Sequence, residues 1–143
     1  MKKVKEIMTR KIISKDLAVS VYDVARLMED KGIGSVLVTE KGKAAGIVTE
    51  RDIIIKCVAQ GFDPKKTAIE KIMSTPVVSV DEECLVTDAA RLMVSKMIRR
   101  LPIIDNGELK GMVTATDMIR DVVSKGKRKE DSLIYIVCDY EKF

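Results

Sequence analysis

The sequence predicts an α/β (α+β) protein made of two tandem βαββα units that pack with pseudo-two-fold symmetry into one module. Two observations lead to this prediction: the chain repeats itself, and each copy alternates short β-prone runs with helical apolar stripes. A shift of 65 residues aligns residues 4–61 with residues 69–126 without a gap, and 20 of the 58 aligned pairs are identical. Because units of this length would struggle to bury separate cores, we expect them to pack against each other.

The first half of each copy predicts a strand and then a helix. Each copy contains a short β-branched pair, Ile12-Ile13 in the first and Val77-Val78 in the second. Such a pair is typical of a brief buried strand. A helix is expected next because apolar residues recur at i, i+3, i+4 and i+7, starting at Val21 and at Val86. Ser20 is expected to cap the first of these helices.

The second half of each copy predicts a hairpin and a final helix. Strands are expected at residues 35–39 and 45–48, and at residues 101–104 and 110–113. Lys41-Gly42 and Asn106-Gly107 supply the turns between them, and Asn-Gly is a strong hairpin signal. The final helices, residues 50–59 and 115–124, are expected to end at Gly61 and Gly126, since glycine readily adopts the left-handed conformation that stops a helix.

Composition excludes several kinds of catalytic site. The 143 residues contain no histidine, which removes Ser-His-Asp and Cys-His nucleophilic machinery and the usual zinc ligand sets. Cys57, Cys84 and Cys138 stand singly, without a Cys-x-x-Cys pair, and are interpreted as small buried hydrophobes. We therefore expect no catalytic residues, no metal site and no enzyme activity.

Charge and hydropathy argue against membrane and nucleic-acid partners. No apolar run approaches the roughly 18–20 residues that cross a bilayer, and no secretory signal is recognisable, so a cytoplasmic protein is expected. The net charge of +4 is spread over mixed signs. The basic stretch at residues 125–129 has no aromatic stacking platform and is interpreted as a helix end and linker, with nucleic-acid binding as the weaker alternative. Abundant lysine and glutamate with few side-chain amides favour a thermophilic source.

One motif, Gly-h-h-Thr-x-x-Asp with h apolar, occurs at matching positions of both copies. Its polar pairs are Thr49 with Asp52 and Thr114 with Asp117, placed where a predicted strand gives way to a helix. Threonine is a good helix cap, and an acid three residues later resembles a capping box. The same junction offers backbone N–H groups to an anion, and a carboxylate there can accept hydrogen bonds from a ribose diol. The spacing favours capping and leaves a nucleotide site open.

The duplicated pattern resembles the cystathionine β-synthase (CBS) domain family in its paired form, the Bateman module. The residues that carry the resemblance are Ile7-Met8-Thr9 with Ile72-Met73-Ser74, residues 25–28 with 90–93, residues 101–105, and the two Gly-h-h-Thr-x-x-Asp stretches. It divides the chain into a CBS domain 1 (1–61), a linker (62–68), a CBS domain 2 (69–126) and a C-terminal extension (127–143).

The resemblance implies a regulatory ligand and a set of residues that bind it. Many family members bind AMP, ADP, ATP or S-adenosylmethionine in two clefts between the paired units. By this resemblance Asp52 and Asp117 hold the ribose hydroxyls, and Thr49 and Thr114 support ribose or phosphate. The positions that match the family's adenine contacts are Ile12, Ile13, Val77 and Val78. An adenosine nucleotide is thus expected as a regulatory ligand, with no cofactor required.

The copies differ in charge beside the motif. Arg99-Arg100 stands where the first copy has Gly34-Ser35, and the arginines resemble phosphate-gripping residues in the CBS subunit of the AMP-activated kinase. Arginine forks suit phosphate, whereas glycine and serine bring no charge. We therefore expect unequal clefts, with Arg99 and Arg100 in the better phosphate site and Lys11 and Arg51 as weaker candidates. The alternative is that an arginine stem merely covers core surface.

The expected function is that of a standalone energy or metabolite sensor. It is expected to form a homodimer and to act on an unidentified regulated protein in trans. The alternatives are a structural dimerisation or assembly module with vestigial sites and an S-adenosylmethionine binder. The apolar run at residues 132–138 is interpreted as a strand that covers an edge or a dimer seam, with a docking tail as the alternative.

Overall fold

A computed structural model describes residues 2–125, which divide into two compact units. We call the continuous stretch Ile12–Val77 the Asp52 unit. The Asp117 unit joins residues 2–11 to residues 78–125. The expected helix end at Gly126, Cys138 and the expected strand at residues 132–138 lie outside the described residues.

The Asp52 unit is built around a mixed sheet. Its elements are β1 (Ser14–Asp16), α1 (Val21–Lys31), β2 (Ser35–Glu40), β3 (Lys43–Thr49), α2 (Glu50–Asp52), a π-helix (Ile53–Val58) and two 3-10 turns (Pro64–Lys66 and Ile69–Lys71). Strand β2 lies in the middle, parallel to β1 and antiparallel to β3. The expected cap of α1 is confirmed, since the Ser20 hydroxyl accepts a hydrogen bond of 3.1 Å from the Asp23 amide.

The Asp117 unit repeats this plan with one strand fewer. Its elements are a 3-10 turn (Val4–Glu6), α3 (Val86–Lys96), β4 (Arg100–Asp105), β5 (Glu108–Thr114) and α4 (Ala115–Lys125). The hairpin turn between β4 and β5 is confirmed, because Asn106 and Gly107 have φ angles of 51° and 77°, as a two-residue type I′ turn requires. Both units are therefore mixed α/β, as expected.

The opening segment of each repeat lies in the unit of the other repeat. Thr9 from the first repeat pairs with Met112 in the Asp117 unit, and Ser74 from the second repeat pairs with Ile47 in the Asp52 unit. The exchange reaches both cores, since Val4 is 0% exposed in the Asp117 unit and the matching Ile69 is 0% exposed in the Asp52 unit. The compact units thus differ from the repeats, whose sequence boundaries remain a prediction.

The first strand of each copy lies later than expected. Strand β1 runs from Ser14 to Asp16, so the strand expected at Ile12-Ile13 is wrong in position. In the Asp117 unit Val77-Val78 forms no strand, and a single parallel bridge joins Val80 to Ile103. In the first copy hydrophobicity marks the half-buried residues before the strand, whereas the strand itself consists of the exposed polar residues Ser14, Lys15 and Asp16. In the second copy the bridging Val80 is apolar and half-buried.

The helix expected at residues 50–59 is also different in kind. Only Glu50–Asp52 is α-helical, and Ile53–Val58 winds as a π-helix, in which the Ala59 amide donates to the Ile54 carbonyl at 2.8 Å. Three consecutive isoleucines, 53 to 55, give no apolar period from which a wider helix could be recognised. The matching α4 is a regular α-helix.

Each unit buries its own apolar core. In the Asp52 unit the core contains side chains from both helical and strand elements: Val21, Val24, Val36, Val38, Val48, Cys57, Ile69 and Ile72. In the Asp117 unit it contains Val4, Val86, Ala89, Ala90, Met93, Leu101, Ile103, Val113, Met118 and Val122. Within residues 2–125, none of the helices combines the length and the apolar character that a bilayer crossing demands.

Matched glycines allow the exchanged segments to approach the hairpins. A Cβ on Gly111 would lie 2.8 Å from the Thr9 carbonyl oxygen and 2.7 Å from the Met8 sulfur. We expect Gly111→Ala to lower the free energy of unfolding by about 1–3 kcal/mol, the usual cost of overpacking. Guanidinium unfolding followed by circular dichroism measures this change.

Gly46→Ala is the matched control in the Asp52 unit. Its Cβ would meet the flexible Met73 sulfur at 2.6 Å, while the nearest backbone atom, the Ser74 oxygen, lies at 3.1 Å. Because a methionine end can move and a paired backbone cannot, we expect a smaller loss than for Gly111→Ala. If both variants lose the same unfolding free energy, or if Gly46→Ala loses more, the contact of the added Cβ with the Thr9 backbone is not the main cause of the loss.

Candidate functional site

Both Thr-x-x-Asp motifs form reciprocal caps where a strand passes into a helix. The Thr49 amide donates to Asp52 Oδ2 at 2.9 Å, and the Asp52 amide donates to Thr49 Oγ1 at 3.2 Å. Thr114 and Asp117 repeat the exchange at 2.9 Å and 3.1 Å. The capping interpretation is confirmed, and it fixes one oxygen of each carboxylate in a known direction.

The remaining capacity of the Asp52 carboxylate is taken up inside its own unit. The Ser74 hydroxyl donates to Oδ1 at 3.3 Å and lies 3.4 Å from Oδ2, and the Thr49 hydroxyl lies 3.2 Å from Oδ2. The Lys56 ammonium lies 3.1 Å from Oδ1. Together with the Thr49 amide, the two hydroxyls and the ammonium make four donor groups, which match the roughly four lone-pair sites of a carboxylate. The residue is only 8% exposed.

The Asp117 carboxylate is less heavily bonded. Besides the Thr114 amide, its one donor among residues 2–125 is the Arg120 guanidinium, 3.4 Å from Oδ1. The Arg120 side chain is 72% exposed, so this ion pair is screened by water and weak. Asp117 therefore keeps acceptor capacity for further donors.

The structure brings Arg99 and Arg100 to the Asp117 motif. The Arg99 carbonyl accepts a hydrogen bond of 2.8 Å from the Ala115 amide, in the first turn of α4. Arg100 stands directly opposite Thr114 in the β4–β5 ladder, so both side chains belong to the same face of the sheet. Arg99 is exposed and Arg100 half-buried. The backbone of both arginines thus lies at the junction that carries the capped carboxylate.

The other predicted site residues are divided between the units. Ile12 and Ile13 are half-buried at the entry to β1, where the Ile13 carbonyl accepts from the Leu37 amide at 3.3 Å. The exposed Arg51 neighbours Asp52 in α2. The Asp52 unit also holds Val77, whereas Lys11 and Val78 lie in the Asp117 unit. Val77 and Val78 are half-buried and Lys11 is exposed.

Sequence reasoning missed two residues of the Asp52 site, Ser74 and Lys56. Ser74 stands 22 positions from Asp52 and in the other repeat, so no local pattern joins them. Lys56 could have been found, because a cation four residues after an acid on a helix is a recognised pair.

The cysteines and acids suggest no reactive centre in the described part of the chain. Cys57 is fully buried, as expected, and Cys84 is half-buried. Burial, with the nearby Asp88 and Asp81, raises the pKa of the Cys84 thiol, which keeps it protonated and poorly nucleophilic. Residues 2–125 hold no cluster of three or more potential metal ligands.

Solved structures of similar fold include proteins with bound ligands and assemblies. A CBS-domain protein from Burkholderia ambifaria superposes with a TM-score of 0.85 at 33% identity, covering 88% of this chain and 97% of that one. The CBS domain pair of protein MJ0100, solved with 5′-methylthioadenosine and S-adenosyl-L-methionine, gives 0.78 at 28% identity, covering 87% and 98%. A hexameric CBS-CP12 protein from bloom-forming cyanobacteria gives 0.76 at 35% identity, covering 91% and 78%.

Sequence comparison leads to the same family. An uncharacterized protein of Methanopyrus kandleri is 44% identical over 117 residues, which are 80% of this chain and 60% of that protein's length. The chain thus spans less than two thirds of this relative. The family model of the CBS domain matches twice, at residues 4–58 and 69–124. This chain belongs to the CBS domain family and carries a tandem CBS pair.

Proposed function

We propose that this chain is a regulatory module that binds an adenosine nucleotide, AMP, ADP or ATP, as an energy or metabolite sensor. The observation that carries the proposal is the Asp117 carboxylate. One of its oxygens is fixed by the Thr114 amide at 2.9 Å, and the other, as far as residues 2–125 show, has an exposed arginine 3.4 Å away as its one donor. A ribose offers two adjacent hydroxyl donors, which suit the open lone pairs of a carboxylate held in this way.

The charge beside Asp117 supports a phosphate-bearing ligand. The Arg99 carbonyl accepts from the Ala115 amide, and Arg100 pairs with Thr114 in the ladder. The backbone of both arginines therefore lies at the strand-to-helix junction. Guanidinium forks bind phosphate oxygens in a bidentate way, and S-adenosylmethionine has no phosphate for them. S-adenosylmethionine remains the second candidate because the similar MJ0100 pair was solved with it.

The Asp52 site supports a different proposal, that of a structural site without a ligand. The Asp52 residue is 8% exposed, and donors from Thr49, Ser74 and Lys56 face its oxygens. A group satisfied in this way stabilises its unit whether or not a nucleotide binds. The Asp52 site therefore supports the alternative function of the chain, a structural dimerisation or assembly module with vestigial sites.

A sensor must pass its signal to a second component. A ligand changes a conformation or an assembly only through its different affinity for two states. We propose that this chain forms a homodimer and that ligand binding alters its fit to a regulated protein in trans. One similar protein, the CBS-CP12 protein, assembles as a hexamer.

Replacement of the aspartates tests the nucleotide proposal. We expect Asp117→Asn to weaken AMP binding about ten- to hundredfold, because hydrogen bonds to a charged group contribute about 1.5–3 kcal/mol. The asparagine oxygen can still accept from the Thr114 amide, so the helix cap is retained. Isothermal titration calorimetry measures the affinity, and guanidinium unfolding shows that the variant is folded.

Asp52→Asn is the matched variant in the other unit, and we expect it to change AMP affinity less. A nucleotide analogue without the 2′ and 3′ hydroxyls should bind the unaltered protein as weakly as AMP binds Asp117→Asn. If no adenosine compound binds the unaltered protein, the sensor proposal is wrong and the motifs serve as helix caps alone.

Removal of the two arginines tests the phosphate contact. We expect the double variant Arg99→Ala/Arg100→Ala to weaken AMP binding about tenfold at low salt, since each exposed pair contributes up to about 1 kcal/mol. Adenosine, which has no phosphate, should lose little affinity. Arg91→Ala removes an exposed charge from α3 and serves as the control. Equal losses for AMP and adenosine would contradict the assignment.

A further inference from the structure

The two units differ most in the groups that contact aspartate Oδ1, the oxygen that the threonine amide does not bind. The Lys56 ammonium lies 3.1 Å from Asp52 Oδ1, while the matching position of the second repeat is Asp121, an acid. Asp121 bonds instead to the Lys2 ammonium at 2.6 Å. The Asp52 site therefore contains a cation that the matching position of the second repeat lacks.

The Lys56 ammonium is held by more than its charge. Its three donors meet three acceptors: Asp52 Oδ1 at 3.1 Å, Ser74 Oγ at 3.2 Å and the Ile72 carbonyl oxygen at 3.3 Å. Because an ammonium has three N–H bonds, this set satisfies it completely. The group is thus positioned on the carboxylate, although the side chain as a whole is 43% exposed.

The hydroxyl that completes this arrangement is also specific to one unit. Ser74 donates to Asp52 Oδ1 at 3.3 Å. The matching Thr9 is exposed and, within residues 2–125, makes no side-chain hydrogen bond to Asp117. Lysine and serine together bind Asp52 Oδ1, whereas the one donor to Asp117 Oδ1 within residues 2–125 is Arg120.

The backbone under Lys56 is unusual as well. Lys56 lies in the π-helix Ile53–Val58, whereas Asp121 lies in the regular helix α4. Single π-helical turns inside helices occur frequently at functional sites. The two repeats thus differ in side chain and in helix type at the same place.

We propose that Lys56 is an internal competitor for the Asp52 carboxylate, which makes the Asp52 unit the weaker of two adenosine sites. The inference rests on the proposed function. A ribose diol must displace the ammonium from Asp52 Oδ1, whereas the one side-chain donor to Asp117 within residues 2–125 is the exposed Arg120. The two units would then fill at different ligand concentrations, which widens the range over which the protein responds.

Two backbone amides can report the occupancy of each unit separately. The Thr49 amide donates to Asp52 and the Thr114 amide donates to Asp117, both at 2.9 Å. Their NMR signals should move when the respective carboxylate accepts a diol. Adenosine is the probe, because it has no phosphate to which Lys56 could be attracted.

In the unaltered protein we expect the Thr114 signal to respond at a lower adenosine concentration than the Thr49 signal. Lys56→Met should lower the adenosine concentration at the Thr49 midpoint about two- to fivefold, because one exposed ion pair contributes up to about 1 kcal/mol. The Thr114 midpoint should not change. Lys56→Gln, which keeps an N–H donor without the charge, should lie between. Lys43→Met removes an exposed charge at the far end of β3 and should change neither midpoint.

The outcomes separate this inference from the proposed function. A Thr49 midpoint that stays or rises in Lys56→Met and Lys56→Gln, while Thr114 still responds, would overturn the competitor role and leave the proposed function standing. If neither amide responds to adenosine in any of the proteins, both the proposed function and the competitor role are wrong.

Discussion

The site depends on one interaction, the reciprocal hydrogen bonding of threonine and aspartate where a strand becomes a helix. The Thr49 amide binds the Asp52 carboxylate while the Asp52 amide binds the Thr49 hydroxyl, and Thr114 with Asp117 does the same. Each exchange satisfies two backbone donors that a helix start leaves open. It also holds a carboxylate in one orientation, so the groups that stabilise the fold are those we propose to bind the ligand.

Duplication gave both units this junction, and later differences around it made them unequal. Lys56 and Ser74 face Asp52, whereas the matching positions, Asp121 and Thr9, do not bond to Asp117. Arginines stand beside the second junction where the first has Gly34 and Ser35. The same strand-to-helix junction thus carries two different electrostatic environments because of a few side chains outside the repeated motif.

Local features were predictable from the sequence, and features formed across the repeats were not. The cap at Ser20, the Asn106-Gly107 turn and the two capping boxes each depend on residues within three positions, and the structure confirms them. The contact of Ser74 with Asp52 joins segments that are distant in the sequence, so no short pattern could predict it. The π-helix escaped prediction because its isoleucines carry no period. The roles of the adenine, ribose and phosphate candidates remain predictions.

The exchange of opening segments has a consequence for how such a chain can evolve. A gene fragment that ended at residue 61 would lack Ile69 and Ile72, which are 0% and 1% exposed in the core of the Asp52 unit. Its own opening segment, with Val4, would have no hairpin of a second repeat to join. A lone repeat would have to fill its core with its own opening segment or with that of another molecule. In the fused chain each core takes residues from both repeats, so the loss of either copy would leave the remaining core without side chains that it now buries.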